Sequence, residues 1–272
     1  MSLVDAHVHT LGHESPDAIL RAMDRHGIAR LCLLSPPELA SADAQREALA
    51  FLQRLTAATP DRLLGYFWLN PLLPEAPALV DEAAAAAGVL AFKLMSDHWV
   101  PHDERLAPVF SGIQETGRPV LFHAGILWSH MDSSRFCRPA DFEVMLHYPR
   151  IRFALAHMAW PWVDECFAVA ARMRDGIKKL TGGPNTMYVD LSPGTPMPVR
   201  EEAVRKAFLI GESDRLLWGS DDAEPETLEK SARIAAFDRE LFETLAVPEG
   251  IARGVFEKNL LAFLGIHDGS RT

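Results

Sequence analysis

The chain has 272 residues, of which 48% are hydrophobic and 24% charged, and it carries a formal net charge of −10. This apolar content can offset the chain entropy of folding, so the composition excludes a largely disordered chain, a collagen, a coiled coil and a disulfide scaffold. The acidic balance provides no basic surface for a phosphate backbone, and it argues against a nucleic-acid partner or an anionic membrane partner.

Predicted strands and helices alternate along the chain. The first unit pairs a strand at Leu3–His9 with a helix at Pro16–His26, for which Ser15 is the predicted N-cap and Gly27 the stop. Later strands are predicted at 28–35, 63–70, 89–95, 119–123, 151–157, 187–191 and 216–219. The helices after them are predicted at 39–59, 75–87, 104–116, 141–147, 164–175, 199–210 and 225–237, with one or two more in 240–264.

Eight strands that alternate with helices predict a parallel α/β sheet, because parallel neighbours need a crossover connection. The strands are nearly continuous apolar runs, as expected for strands buried on both faces. We therefore predict one domain over residues 1–272, a single (β/α)₈ TIM barrel with extra C-terminal helices. An open doubly wound sheet is the alternative, although no GxGxxG motif follows the first strand to support its dinucleotide-binding form.

The first strand ends in two histidines. His7 and His9 are two residues apart, so in an extended strand their side chains point to the same face. A pair of imidazoles at a barrel mouth suits a divalent metal. This motif alone is a weak signal, because buried, hydrogen-bonded histidines produce the same pattern.

Four more polar residues stand at the ends of otherwise apolar predicted strands: Lys93, His123, His157 and Asp221. In a TIM barrel the C-terminal strand ends converge on one pocket. Taken singly, each residue could equally be a helix-capping residue or a buried polar side chain that is hydrogen-bonded within the core. Together with His7 and His9, they predict a metal-binding active site.

Other polar and aromatic residues have weaker assignments. His13, His98, His102 and His130 lie on predicted loops near the barrel mouth and are candidates for substrate contact, whereas His26 is expected to cap a helix and His147 and His267 to lie on the surface. Arg135 and Arg138 are candidate ligands for an acidic substrate, with exposed loop positions as the alternative. Trp99, Trp128 and Trp160 are expected either to wall an apolar pocket or to pack in a lid.

These motifs together resemble the amidohydrolase superfamily, specifically the branch that contains amino-carboxymuconate-semialdehyde decarboxylase and amidohydrolase-related hydrolases. The resemblance is carried by residues 5–9, 91–94, 118–125, 138–149, 153–158, 161–162, 188–192, 218–221 and 255–265. Ala159 and Asp222 depart from the glycine and the aromatic residue common in that branch. Both departures concern the loops and the substrate rather than the metal.

The resemblance implies one divalent metal, zinc, held by His7, His9, His123 and Asp221, with His157 beside it as a catalytic group. Three imidazoles and one carboxylate agree with the ligand chemistry of zinc. Manganese is an alternative metal. A second metal is the other alternative, in which Lys93 carries CO₂ as a bridging carbamate and His157 becomes a ligand.

The implied activity is hydrolysis of a small, acidic amide, ester or lactone by a metal-activated water. In this scheme Asp221 carries the proton, His157 stabilises the oxyanion and Lys93 adds a positive charge. Non-oxidative decarboxylation of an aromatic or unsaturated carboxylic acid is the alternative, and a non-catalytic binding barrel is a third hypothesis. The deoxyribonuclease branch is disfavoured, because it carries glutamate where Lys93 stands and because this chain is acidic.

The expected partner is a small-molecule substrate, without nucleic acid or membrane, and a homodimer is an open alternative. The longest stretch free of charged residues, 119–131, is shorter than the roughly 20 residues of a membrane-spanning helix. No signal peptide is visible at the start of the sequence. Cys32, Cys137 and Cys166 form no CxxC pair, so we expect reduced thiols and a cytoplasmic location.

Overall fold

Eight parallel strands pair in chain order in the computed structural model, which describes residues 2–128 and 132–266. The last strand returns to the first: Ala6 N donates to Trp218 O at 3.1 Å, and His9 N donates to Asp222 O at 2.7 Å. The sheet is therefore a nearly closed barrel, which confirms the predicted TIM barrel over the open doubly wound sheet. The strands are β1 Leu3–His9, β2 Ile28–Leu34, β3 Leu63–Trp68, β4 Val89–Leu94, β5 Val120–Phe122, β6 Phe153–Leu155, β7 Met187–Asp190 and β8 Leu216–Leu217.

Helices follow the strands and cover the outside of the barrel. They are α1 Pro16–His26, α2 Ala42–Ala57, α3 Ala76–Ala85, α4 Ala107–Thr116, α5 Val163–Thr181, α6 Met197–Ile210, α7 Glu229–Thr244, α8 Glu249–Arg253 and α9 Asn259–Leu264. Short 3₁₀ helices lie at Glu104–Leu106, Ser134–Phe136, Pro139–His147, Ala156–Ala159 and Ser213–Arg215, and a π-helical turn at Gly254–Lys258 joins α8 to α9. No helix among the described residues is long and apolar enough to cross a bilayer.

Some predicted helices differ from the observed ones. The segment expected as a helix at 141–147 is the 3₁₀ helix Pro139–His147. Helix α5 runs past the predicted end to Thr181, because Ile177 extends its buried stripe and Gly182 then adopts a left-handed φ of 71°. Ser15 holds the N-cap position of α1, but its side chain makes no capping hydrogen bond.

Two apolar layers stabilise the barrel. The outer layer lies between the strands and the surrounding helices, and a smaller inner cluster fills the barrel itself. Helix α9 contributes Leu260, Phe263 and Leu264 to the inner cluster, and the Phe263 ring packs 5.0 Å from that of Tyr188. Because Tyr188 lies near the start of β7, α9 closes the amino-terminal end of the barrel, and the carboxyl-terminal end remains for a site.

A buried ion pair links two outer helices to β8. Arg200 of α6 donates from Nε to Asp238 Oδ1 of α7 at 2.8 Å, and neither side chain is more than 1% exposed. Trp218, which directly follows β8, donates from Nε1 to Asp238 Oδ2 at 2.9 Å. The pair therefore anchors the chain segment that leads to Asp221.

Candidate metal centre and active site

All six strand-end residues predicted from the sequence line one cavity of about 180 Å³ at the carboxyl-terminal end of the barrel: His7, His9, Lys93, His123, His157 and Asp221. Its remaining wall is mainly apolar and consists of Met95, Ile126, Leu127, Trp128, Pro193 and Gly194. Such a volume is below the roughly 300–1,000 Å³ typical of pockets for drug-sized ligands. The cavity therefore suits a small substrate.

Strand geometry explains how the two first histidines meet. His7 and His9 lie on the same face of β1, and their ring centroids are 5.2 Å apart. His7 is fully buried, whereas the His9 side chain is 21% exposed. The cavity opening therefore lies nearer His9.

His157 reaches the cavity from a turn rather than from a strand. Strand β6 ends at Leu155, and His157 follows in a left-handed backbone conformation with φ 63°. Its ring lies 5.3 Å from that of His7 and 5.0 Å from that of His123. Gly194 packs against this ring so closely that a Cβ there would lie 2.6 Å from His157 Cγ.

The donor atoms have the arrangement that a cation requires. One ligand atom each from His7, His157 and Asp221 lies within 4.8 Å of the others. Asp221 Oδ1 is 3.5 Å from His7 Nε2 and 3.1 Å from His9 Nε2. The buried Nε2 atoms of His7 and His123 have no hydrogen-bond partner. Burying a nitrogen atom without a hydrogen-bond partner costs free energy, and a bound divalent metal ion would use these lone pairs. The histidine and carboxylate side chains present are ligands that such an ion accepts.

Burial sets the charge of the histidines. It lowers the pKa of His157 to about 4 and holds the pKa values of His7 and His123 well below the usual histidine value. These imidazoles are therefore neutral near pH 7, which is the form that offers a lone pair to a metal.

The two charged groups of the cavity have opposite signs. Burial lowers the pKa of the Lys93 ammonium to about 8, although the carboxylates of Asp221 and Asp190 oppose this shift. For Asp221, burial works against ionisation, but the hydrogen bond from His9 and the nearby imidazoles hold its pKa well below the usual range. Asp221 is therefore ionised and Lys93 mostly protonated at neutral pH.

Sequence reasoning missed two buried residues next to the histidines. Asp190 ends β7 and accepts a hydrogen bond from His7 Nδ1 at 2.8 Å, and Ser192 Oγ lies 3.0 Å from His157 Nδ1. Asp190 carries the same signal as the residues that were found, since it is a charged residue that ends an apolar strand.

Several weaker candidates lie outside the cavity wall. His98 contacts Asp97, and His102 Nδ1 lies 3.7 Å from Asp141 Oδ1. Arg135 forms an ion pair with Asp132, and Arg138 forms one with Glu165. The side chains of His13 and His147 are exposed. His26 Nε2 donates to Thr227 O at 3.0 Å. His130 and His267 lie outside the described residues.

The three tryptophans have different positions. Trp128 lines the cavity with its side chain largely exposed, and its ring stacks on that of Trp160 at a centroid distance of 6.2 Å. Trp99 is buried and lines a separate cavity near Trp68 and Asn70. Only Trp128 of the three contributes directly to the wall beside the histidines.

Solved structures with a similar fold include both decarboxylases and a hydrolase. One is 2,6-dihydroxybenzoate decarboxylase complexed with 2,6-dihydroxybenzoate, with a TM-score of 0.71, 14% identity and coverage of 97% of this chain and 99% of that chain. A second is 5-carboxyvanillate decarboxylase from Novosphingobium aromaticivorans complexed with manganese and 4-hydroxy-3-methoxy-5-nitrobenzoic acid, with a TM-score of 0.66, 12% identity and 97% coverage of both chains. A third is a probable 2-pyrone-4,6-dicarboxylic acid hydrolase from Acinetobacter baumannii with citric acid bound, with a TM-score of 0.65, 13% identity and coverage of 97% and 100%.

At these identities the solved structures show the shared fold alone, and among curated proteins no sequence matches the chain. The family itself is shown by a sequence model. The model described as Amidohydrolase matches residues 4–266, which confirms the resemblance inferred from the strand-end motifs. The chain therefore belongs to the amidohydrolase family of metal-dependent enzymes.

Proposed function

We propose that this protein is a metal-dependent hydrolase that acts on a small, acidic amide, ester or lactone. The observation that carries the proposal is the convergence of four imidazoles, one carboxylate and one ammonium on a single cavity of about 180 Å³. A wall of this size and polarity suits a small anionic molecule with a reactive carbonyl group.

In the proposed site, His7, His9, His123 and Asp221 would hold one divalent cation. We propose zinc, because imidazole and carboxylate ligands suit it, with manganese as the alternative. When bound, such a cation lowers the pKa of a water molecule and polarises a carbonyl or carboxylate oxygen. The close grouping of His7, His157 and Asp221 also supports the two-metal alternative, in which His157 is a ligand and Lys93 is carboxylated.

Asp221 is the proposed proton carrier. Its ionised carboxylate faces the cavity, so an Oδ atom can accept a proton from water and return it to the leaving group. Lys230 Nζ contacts the Asp221 carbonyl oxygen and lies 3.4 Å from Oδ2, which holds the carboxylate in place. In the one-metal site His157 would stabilise negative charge that develops on the substrate by donating a proton from Nε2, whereas in the two-metal site its Nε2 lone pair would bind a cation.

Lys93 is the proposed anchor for the acidic group of the substrate. It is the only lysine or arginine among the described residues that line the cavity, and it is buried. An ammonium in a low-dielectric wall attracts a carboxylate more strongly than one in water. Arg135 and Arg138 instead pair with acidic residues away from the cavity, so we assign them no substrate contact.

Non-oxidative decarboxylation is the second candidate. It is favoured by the similarity, over nearly the whole chain, to two decarboxylases whose structures contain aromatic acids. In that reaction Lys93 would again bind the carboxylate, and Asp221 would take a proton from a water molecule or a substrate hydroxyl group and deliver it to the carbon that loses CO₂.

Product analysis separates the two reactions. The zinc- and manganese-loaded enzyme is incubated with a panel of small acidic lactones, esters and amides and, separately, with hydroxylated aromatic acids. Hydrolysis of a lactone, ester or amide forms a new carboxyl group without CO₂, whereas decarboxylation releases CO₂. Turnover restricted to the aromatic acids, with CO₂ as product, would replace the hydrolase proposal by the second candidate.

We also propose a cytoplasmic location. All three cysteines are free and buried, and burial raises the pKa of each thiol, so they resemble the unreactive thiols of proteins in a reducing compartment. Fractionation of the producing cells tests this proposal.

A further inference from the structure

We propose that Asp190 and Ser192 act as a positioning pair that fixes the ring tautomers of two cavity histidines, His7 directly and His157 through the serine hydroxyl. This inference rests on the proposed metal site and favours its two-metal alternative, in which His157 is a ligand, because the fixed tautomers would leave the Nε2 lone pairs of both histidines for cations. Neither residue lines the cavity, so their effect is exerted through the histidines.

The first step concerns His7. Asp190 Oδ2 lies 2.8 Å from His7 Nδ1, and both side chains are buried. A carboxylate only accepts hydrogen bonds, so the proton of the neutral imidazole must be on Nδ1. His7 Nε2 then carries the lone pair, and this is the buried nitrogen that has no hydrogen-bond partner.

The second step concerns His157. Ser192 Oγ lies 2.6 Å from Asp190 Oδ2 and 3.0 Å from His157 Nδ1. The hydroxyl has one proton, and the shorter contact with the carboxylate takes it. Ser192 Oγ therefore offers only lone pairs to His157 Nδ1, which must carry the imidazole proton and leave Nε2 as the acceptor.

The third step concerns rigidity. Asp190 Oδ1 accepts a hydrogen bond from Ser192 N at 2.8 Å, so the carboxylate and the serine hold each other. Both residues are at most 1% exposed, and water does not compete for these bonds. One buried carboxylate thus orients two imidazoles, one on β1 and one on the turn after β6, as partners of metal-binding histidines do elsewhere.

The variants are Asp190→Asn, Ser192→Ala and Ser192→Thr, with Ser96→Ala as the matched control. Ser96 is also a fully buried serine, but its hydroxyl lies 3.8 Å from Cys137 Sγ and forms no hydrogen bond with either histidine. Two readouts are used. The Zn²⁺ dissociation constant is measured by competition with a chromogenic chelator, and the tautomers are read in the metal-free protein from long-range ¹H–¹⁵N NMR of ¹⁵N-histidine.

We expect Asp190→Asn to weaken Zn²⁺ binding by about 10–100-fold and to move the His7 proton from Nδ1 to Nε2. Ser192→Ala should weaken binding and disturb the tautomer of His157 more than that of His7, because His7 Nδ1 keeps its 2.8 Å bond to Asp190 Oδ2 and loses only a 3.3 Å contact with Ser192 Oγ. Ser192→Thr should retain the parental binding and tautomers, because it keeps the hydroxyl. Ser96→Ala should leave both readouts unchanged. A general loss of stability would not change the tautomer of one histidine more than that of the other, so this difference identifies a positioning role.

Parental tautomers in both Asp190→Asn and Ser192→Ala would overturn the inference, as would equal losses in Ser192→Ala and Ser192→Thr. If Asp190→Asn does not fold, the comparison of Ser192→Ala with Ser192→Thr tests the inference instead. If the parent protein binds neither Zn²⁺ nor Mn²⁺, the proposed metal site fails, while the tautomers of the metal-free protein still test the positioning pair.

Discussion

Loss of the buried Asp238 carboxylate should destabilise the barrel strongly. In Asp238→Leu, the Arg200 guanidinium loses its partner while it remains fully buried, and Trp218 Nε1 loses its acceptor. Removal of one member of a buried ion pair costs about 3–5 kcal/mol. An indole nitrogen left without an acceptor adds about 1–3 kcal/mol. Arg200 Nη1 is already buried without a hydrogen-bond partner, which indicates that no spare acceptor lies near the guanidinium to replace the lost bonds.

Urea unfolding, followed by circular dichroism, measures this loss in the free energy of unfolding. The double variant Arg200→Met/Asp238→Leu removes both charges and should be more stable than Asp238→Leu alone, because no charge is then left unpaired. Arg205→Met is the control, since it breaks an exposed pair with Glu201 on the same helix and should cost less than about 1 kcal/mol. A loss below about 1 kcal/mol in Asp238→Leu, or a double variant less stable than it, would refute this reasoning.

Four further predictions concern the site. Elemental analysis of the purified protein should find about one equivalent of divalent metal per chain for the one-metal site, or about two for the two-metal site. Less than about a tenth of an equivalent would contradict the metal site. Asp221→Asn should abolish turnover with an unchanged circular dichroism spectrum, and near-parental turnover would exclude Asp221 as the proton carrier. Gly194→Ala should displace the His157 ring by roughly 1 Å and lower kcat/KM by about 100-fold, whereas Gly250→Ala, which meets nothing within 4 Å, should not. If Lys93 is carboxylated, bicarbonate during metal reconstitution should raise activity, and no response together with one bound metal would favour the single-metal site.

The convergence of the strand-end residues on one cavity could be predicted from the sequence, because its signal is local. His7 and His9 follow from the two-residue repeat of a strand, and the barrel topology then brings His123 and Asp221 to the same end. His157 was placed at the end of a strand, but β6 stops at Leu155 and a left-handed turn positions the ring. Such a turn of non-glycine residues has no clear sequence signature.

The roles of Asp190 and Ser192 could not be predicted from the sequence, for a different reason. Their importance comes from hydrogen bonds to His7 and His157, which are 183 and 35 residues away in the chain. A single sequence gives no distance between such residues. The charged residue at the end of β7 could be recognised, but its role depends on contacts that only the folded barrel shows.

The charges that line the cavity argue for an anionic substrate under either metal count. Apart from its histidines, the residues lining the cavity that ionise are Lys93 and Asp221, and their opposite charges balance each other. One divalent cation leaves two positive charges in excess. Carboxylation of Lys93 turns its charge from positive to negative, but the second cation that the carbamate bridges restores the same excess. A positively charged, partly enclosed cavity concentrates anions. The charge of the substrate therefore cannot distinguish the two metal counts, and the bicarbonate response is the measurement that does so.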